Sequence, residues 1–255
     1  MTRLMCVSSG KGGVGKTTIT SNLGSALSDF GCDTVVMDAN LTNPSLGFHL
    51  GIPLYPKTLH DVLRDEAHIS EATYVHNSGL KVVPAGISIE DLRNTSPRDL
   101  GDVLLDVVGE PDVVLIDSAA GLGQEAINAV ETSDELLLVT NPDLPSVTDA
   151  LKTASIAESA GTEIYGVVLN RVKNSPEELN VEEVESMIGH PVIKTVPEDS
   201  RVPESIAVKE PVVRHSPKSR VSREIKKLAA EIAGVDYNPR VEKKGLFSRL
   251  FSFLK

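Results

Sequence analysis

Tryptophan is absent from the 255 residues, and only four tyrosines and five phenylalanines are present. Aliphatic side chains must therefore fill the core, which a chain of this length can make sizeable. Cysteine is almost as scarce. Cys6 and Cys32 form no C-x-x-C pair, so the chain offers no zinc or iron–sulfur framework, and this usage suits a reducing compartment. Histidines stand singly at 49, 60, 68, 76, 190 and 215 without metal-ligand spacing, and all are expected on the surface or in loops. No apolar run approaches membrane-spanning length. No signal segment is expected, because Arg3 is followed at once by a short strand-like run and a glycine loop. Positive charge is in deficit: 25 Lys and Arg against 36 Asp and Glu leave a net charge of -11. An acidic body lacks the cationic surface that broad nonspecific DNA binding needs.

What is present centres on Gly10-Lys11-Gly12-Gly13-Val14-Gly15-Lys16-Thr17-Thr18. Gly10, four residues, then Gly15-Lys16-Thr17 is the spacing of a phosphate-binding loop. Its context fits, with a strand-like run at 4–7 before it and a helical pattern at 19–30 after it, apolar at Leu23, Ala26, Leu27 and Phe30. The glycines permit backbone conformations that let successive N–H groups turn inward around a polyphosphate, and the following helix adds its positive end. Lys16 is placed for the β and γ phosphates and Thr17 for Mg²⁺, while Thr18 can hydrogen-bond an inner phosphate. Lys11 is a second cation in the loop, either a solvated charge or one that serves another nucleotide.

Strand-like and helical patterns alternate along the rest of the chain. Strands are expected at 33–37, 80–83, 112–116, 135–139, 164–169 and 192–196, and helices at 58–64, 97–108, 145–160, 176–188 and 219–233. Thr58 with Asp61 is an approximate capping pair for the first of these helices. Ser96 followed by Pro97 reads as cap and first residue of the second. Residues 39–55, with Pro44, Gly47, Gly51 and Pro53, read as a loop holding a short helix. Continuous apolar strands alternating with helices imply an α/β fold, a single doubly wound, mostly parallel sheet with helices on both faces over residues 1–233. A polar linker at 234–242 and a separate amphipathic helix at 243–255 follow.

Asp38 and Asp117 each end a strand, and carboxylates there face the crevice beside the loop. Both are candidates for the metal, Asp117 in the manner of a Walker B residue. The small, glycine-rich run Ser118-Ala119-Ala120-Gly121-Leu122-Gly123 suits a loop that senses the γ-phosphate. At the base side, Asn170-Arg171-Val172-Lys173 lacks the aspartate that would take guanine's two N–H donors, which favours ATP over GTP.

The loop with Lys11 and Lys16, and the small run after Asp117, resemble the deviant Walker A and second switch of the MinD/ParA ATPases. That resemblance implies a P-loop ATPase using ATP and Mg²⁺, a nucleotide-sandwich homodimer in which Lys11 reaches the partner's phosphates, and slow, partner-stimulated hydrolysis. It also implies that Asn170 and Arg171 contact adenine with backbone near Pro197-Glu198-Asp199. The family often carries Asp-x-Asp where this chain has Asp38-Ala39-Asn40. An amide cannot take up the proton of the attacking water, yet a loose transition state asks mainly for orientation. Asn40 is therefore either an orienter of water or a brace for its own turn.

The end of the chain breaks with the body. Three of the five phenylalanines lie in its last nine residues. On a helix, Leu246, Phe247, Leu250, Phe251, Phe253 and Leu254 fill an arc of about 160°, with Ser248, Arg249, Ser252 and Lys255 opposite. Cations on the polar face suit a helix lying in an anionic membrane surface, resembling the targeting helix of the MinD branch. The alternative is docking on the protein's own body or on a protein partner. The expected behaviour is ATP-dependent dimerisation with reversible attachment to the cytoplasmic face of the membrane, to position division or another structure. Rivals are a ParA-like use of DNA as track and an iron–sulfur carrier relative, which the missing cysteine cluster disfavours.

Overall fold

The computed structural model describes residues 1–52, 54–88, 91 and 99–238. Among these, one eight-stranded sheet is built from β1 (Arg3–Ser8), β2 (Thr34–Ala39), β3 (Tyr74–Val75), β4 (Lys81–Val83), β5 (Val113–Ser118), β6 (Glu135–Thr140), β7 (Glu163–Val172) and β8 (Val192–Pro197). Their order is β3-β4-β2-β5-β1-β6-β7-β8. Every pairing is parallel except β3 with β4, so the expected mostly parallel, doubly wound architecture is what forms.

The apolar strands explain the layers. Leu4 and Cys6 of β1 join one core cluster and Met5 and Val7 the other, so alternate residues bury on opposite faces. One face is covered by α3 (Leu59–Leu63), α4 (Leu100–Leu105), α5 (Gln124–Glu131), α6 (Leu144–Ala160) and α7 (Val181–Ile188). The other carries α1 (Lys16–Asp29), α2 (Leu46–His49), α9 (Val212–His215) and α10 (Arg220–Ala233), with α8 (Arg201–Ala207) packed beside α9. Such double coverage places every loop at the carboxyl ends of β1, β2 and β5 in one crevice.

Several expectations are corrected. The helix placed at 176–188 begins only at Val181, because the Glu178 carboxylate accepts N–H groups of Lys173, Asn174 and Ser175 and closes a turn there. Asn180 then caps α7 reciprocally with Glu183. The helix placed at 97–108 runs from Leu100 to Leu105 with Asp99 as its cap, whereas Ser96 and Pro97 lie outside the described residues. Strand β3 and helices α5, α8 and α9 were not expected. His60, expected on the surface or in a loop, is buried on α3, where its Nδ1 accepts the Gly86 N–H at 2.9 Å. The Thr58–Asp61 pair forms a reciprocal cap. Of the expected linker, 234–238 are described, beginning with the left-handed Gly234 that ends α10; the tail helix lies outside the described residues.

One close approach fixes how α1 sits. A Cβ on Gly24 would lie 2.4 Å from Val36 Cγ1 of β2 and 3.3 Å from Leu80 Cδ1. Gly24→Ala is therefore expected to destabilise the fold by about 1–3 kcal/mol through overpacking, despite the roughly 1 kcal/mol that alanine gains over glycine in a helix. Urea denaturation followed by circular dichroism checks this; an unchanged or raised midpoint means that α1 is not packed so closely.

Candidate functional site

The phosphate loop leaves the end of β1 and enters α1 at Gly15, whose φ of +104° is closed to most side chains. Gly15 brings no side chain to cap α1, and uncapped N–H groups at a helix start suit an anion. Gly10 meets α6 closely: a Cβ there would stand 2.0 Å from the Asp149 carbonyl oxygen. Gly12, Gly13 and Val14 complete the turn, with Gly13 also in the left-handed region.

Lys16 and Thr17 occupy the first turn of α1, above Asp117. The Thr17 hydroxyl donates to Asp117 Oδ2 at 2.7 Å, and the Thr20 hydroxyl to Oδ1 at 3.1 Å. Lys16 is buried, which lowers its pKa, and the nearby Asp117 charge opposes that shift. Asp117 is itself fully buried, and desolvation raises its pKa against the threonine donors and Lys16. Asp38 pairs with Asp117 across β2 and β5, and burial together with the Asp117 charge pushes its pKa up as well. Its carboxylate accepts the N–H groups of Asn40, Ser45 and Leu46 at 3.2, 3.0 and 3.0 Å. Asp38 thus organises the loop after β2 as well as facing the crevice.

These groups fit Mg²⁺. Thr17 and Asp117 present hard oxygen donors, and two buried carboxylates side by side carry a repulsion that a divalent cation offsets. Mg²⁺ is commonly bound through one or two protein carboxylates and completes its shell from water and phosphate.

The loop after β2 is braced. Asn40 Nδ2 donates to the Asn43 carbonyl at 2.7 Å, and its Oδ1 accepts the Asn43 N–H at 3.2 Å. Of the two roles open to Asn40, this conformation displays the brace. Ser45 Oγ lies 3.0 Å from Thr17 Oγ1, and Thr42 donates from its N–H and its hydroxyl to Glu125 in the first turn of α5. Lys11 is exposed, with Nζ 4.0 Å from Asp143 Oδ1, a solvent-screened contact of little energy.

Where the sequence leads one to expect the base, a cavity of about 500 Å³ is lined by Thr18, Asn170, Arg171, Pro197, Glu198 and Asp199, together with Ile19, Val202, Ile206, Val221 and Ile225. The structure therefore brings every base-side residue expected from the sequence to one place. Asn170 also reaches the phosphate loop, donating from Nδ2 to the Val14 carbonyl at 2.7 Å. Sequence reasoning missed Thr20, Ser45 and Glu125. Thr20 follows Thr17 by three residues on the same helix face and was legible in principle; the other two act through contacts distant in sequence. Leu246, Phe247, Leu250, Phe251, Phe253 and Leu254 lie outside the described residues.

The family described as ParA, NUBPL iron-transfer P-loop NTPase, matches residues 1–233. An uncharacterized ATP-binding protein of Methanocaldococcus jannaschii is 39% identical over 94% of this chain and 91% of its own. Among solved structures, the cell division ATPase MinD of Pyrococcus furiosus superposes with a TM-score of 0.88 at 36% identity, over 92% of this chain and 99% of that one. The septum site-determining protein MinD of Pyrococcus horikoshii, complexed with Mg-ADP, superposes with a TM-score of 0.87 at 34% identity, over 91% and 96%.

Gly10→Ala drives a methyl group into the Asp149 carbonyl, while a Cβ on Gly13 meets nothing within 4 Å. Gly10→Ala is expected to abolish the thermal stabilisation conferred by Mg-ATP, whereas Gly13→Ala costs only the roughly 1–2 kcal/mol of a left-handed residue. Melting curves with and without Mg-ATP check the contrast, and equal behaviour of the two variants contradicts it.

Proposed function

The chain belongs to the ParA family of P-loop NTPases, and from that premise we propose that it is an ATPase whose nucleotide state governs pairing and membrane attachment. The observation that carries this reading is the convergence of Lys16, Thr17 and Asp117 at the start of α1, with the base-side cavity next to it. Loop N–H groups and Lys16 would bind the phosphates, and Thr17 and Asp117 would hold Mg²⁺, which when bound neutralises charge on the phosphates. ATP is favoured over GTP because residues 170–173 supply no carboxylate for guanine. Lys11, exposed and only loosely engaged, is free to reach the phosphates of a second copy. Asn40 orients the attacking water once its bonds to Asn43 are released, so hydrolysis is slow and speeds up when a protein partner rearranges that loop.

Attachment to lipid rests on the tail. Six apolar side chains give at most roughly 1.5–3 kcal/mol each when fully buried, and a helix this short is unfolded in water. One tail therefore binds weakly, each cation adding on the order of 1 kcal/mol near anionic lipid. Two tails on one dimer raise the affinity by about 10² or more through effective concentration. Membrane occupancy then follows the nucleotide, on the cytoplasmic face of the membrane, and the dimer carries or recruits a protein cargo.

The family description favours a second reading, iron transfer, but the thiols do not fit it. Cys6 is buried within β1, where desolvation pushes its pKa up to about 12, and Cys32 is half-buried with its pKa raised by the same cause. Neither offers a ready thiolate ligand. Use of DNA as a track is disfavoured by the net charge of -11.

Sedimentation with anionic liposomes tests the reading: the full chain is expected to pellet with ATP, to stay soluble with ADP, and to stay soluble in both after deletion of residues 245–255. Pelleting that ignores the nucleotide contradicts it. Asn40→Asp is expected to raise ATP turnover, and an unchanged rate removes Asn40 from the mechanism.

A further inference from the structure

A phosphate-binding loop that turns its N–H groups inward turns carbonyl oxygens outward, and a buried carbonyl needs a partner. The Val14 residue is buried, and its carbonyl accepts Asn170 Nδ2 at 2.7 Å. In the amide orientation that satisfies both of its ends, Asn141 also donates to the Val14 carbonyl, at 3.1 Å, and to the Asn170 carbonyl at 3.3 Å. Both amides stand at the carboxyl ends of neighbouring strands, where Thr140 of β6 pairs with Leu169 of β7. The next loop residue is shaped to the same contact. A Cβ on Gly15 would lie 2.3 Å from Asn170 Nδ2, so glycine is required there by the clamp as well as by its left-handed backbone.

We propose that Asn170 is a positioning residue for the phosphate loop: its amide clamps Val14 and holds residues 10–18 in the shape that receives a polyphosphate, whether or not a base is bound. This rests on the nucleotide-site reading above and adds to the base-contacting role that resemblance implies for the same side chain. One amide is able to do both. It has two N–H donors and a carbonyl, and the bond to Val14 uses one donor. The other donor and the carbonyl match the N7 and N6 edge of adenine, and Asn170 lines the base-side cavity. Without the clamp, Val14 loses a buried hydrogen bond and the loop has to be ordered when ligand binds, which weakens binding. A residue that only reads the base has no such effect on a ligand without one.

The test uses the full chain, wild type, Asn170→Ala and Asn170→Leu, titrated calorimetrically with Mg-ATP and with inorganic tripolyphosphate plus Mg²⁺. The clamp predicts that both variants lose about tenfold or more in affinity for tripolyphosphate, the worth of a lost buried hydrogen bond, and at least that much for ATP. Hydrogen exchange is expected to quicken in residues 10–18 of the nucleotide-free variants while the remaining strands stay protected. If one variant fails to fold, the other carries the test; exchange that quickens throughout both overturns the positioning role in favour of a general structural one. Tripolyphosphate affinity within twofold of wild type overturns the clamp and leaves a base reader. A wild-type protein that binds neither ligand removes the nucleotide reading itself, a result distinct from a variant that fails to lose affinity.

Discussion

A carboxylate fully buried at the end of β5 ties the phosphate-loop helix to the sheet. Desolvation raises the pKa of Asp117, and two threonine hydroxyls from α1 together with the Lys16 charge oppose that shift and favour its ionised form. Burying an ion is costly unless its partners are in place, so the first turn of α1 is held at one height over β5. The loop before that turn inherits its position. Helix and strand meet so closely that residue 24 has room for glycine alone. The site's charge therefore sits at the place where the core packing is least adjustable.

Asp38 extends this arrangement to the neighbouring loop. Three backbone N–H groups converge on its carboxylate, and the segment they belong to brings Ser45 to Thr17 and Thr42 to Glu125. A cation held by Thr17 and Asp117 would change the field at Asp38 directly, since the two aspartates are partners across adjacent strands. Changes at the phosphates thus have a short physical route to α2 and α5, the kind of element that ordering and release of a loop can switch.

Much of this was legible in the sequence, and for identifiable reasons. Parallel strands buried on both faces advertise themselves as apolar runs, and the loop glycines, Lys16, Asp38 and Asp117 sit at fixed places relative to them. What stayed hidden depends on partners distant along the chain. Helix α9 has four residues and is held by full burial of Val212 and Val213, by Asn22 Oδ1 accepting the Val213 N–H, and by the Ser222 hydroxyl donating to the Val212 carbonyl. Strand β3 has two residues and exists through its pairing with β4. His60 looked like a loop residue because nothing local shows that Gly86 folds back over it. Asn170 was legible as a base-side residue, but its bond to Val14 spans 156 positions and leaves no local trace.

On the proposed reading, the phosphate site and the tail are linked only through pairing of two chains, because a short amphipathic helix binds lipid too weakly alone. Lys11 belongs to that link: in a single chain it has a screened contact with Asp143 at most. The mass of the full chain in solution, by light scattering with Mg²⁺ and a non-hydrolysable ATP analogue, with ADP, and with neither, probes the link without lipid. Twice the chain mass with the ATP analogue alone is the predicted result; the mass of a single chain in all three conditions would contradict it.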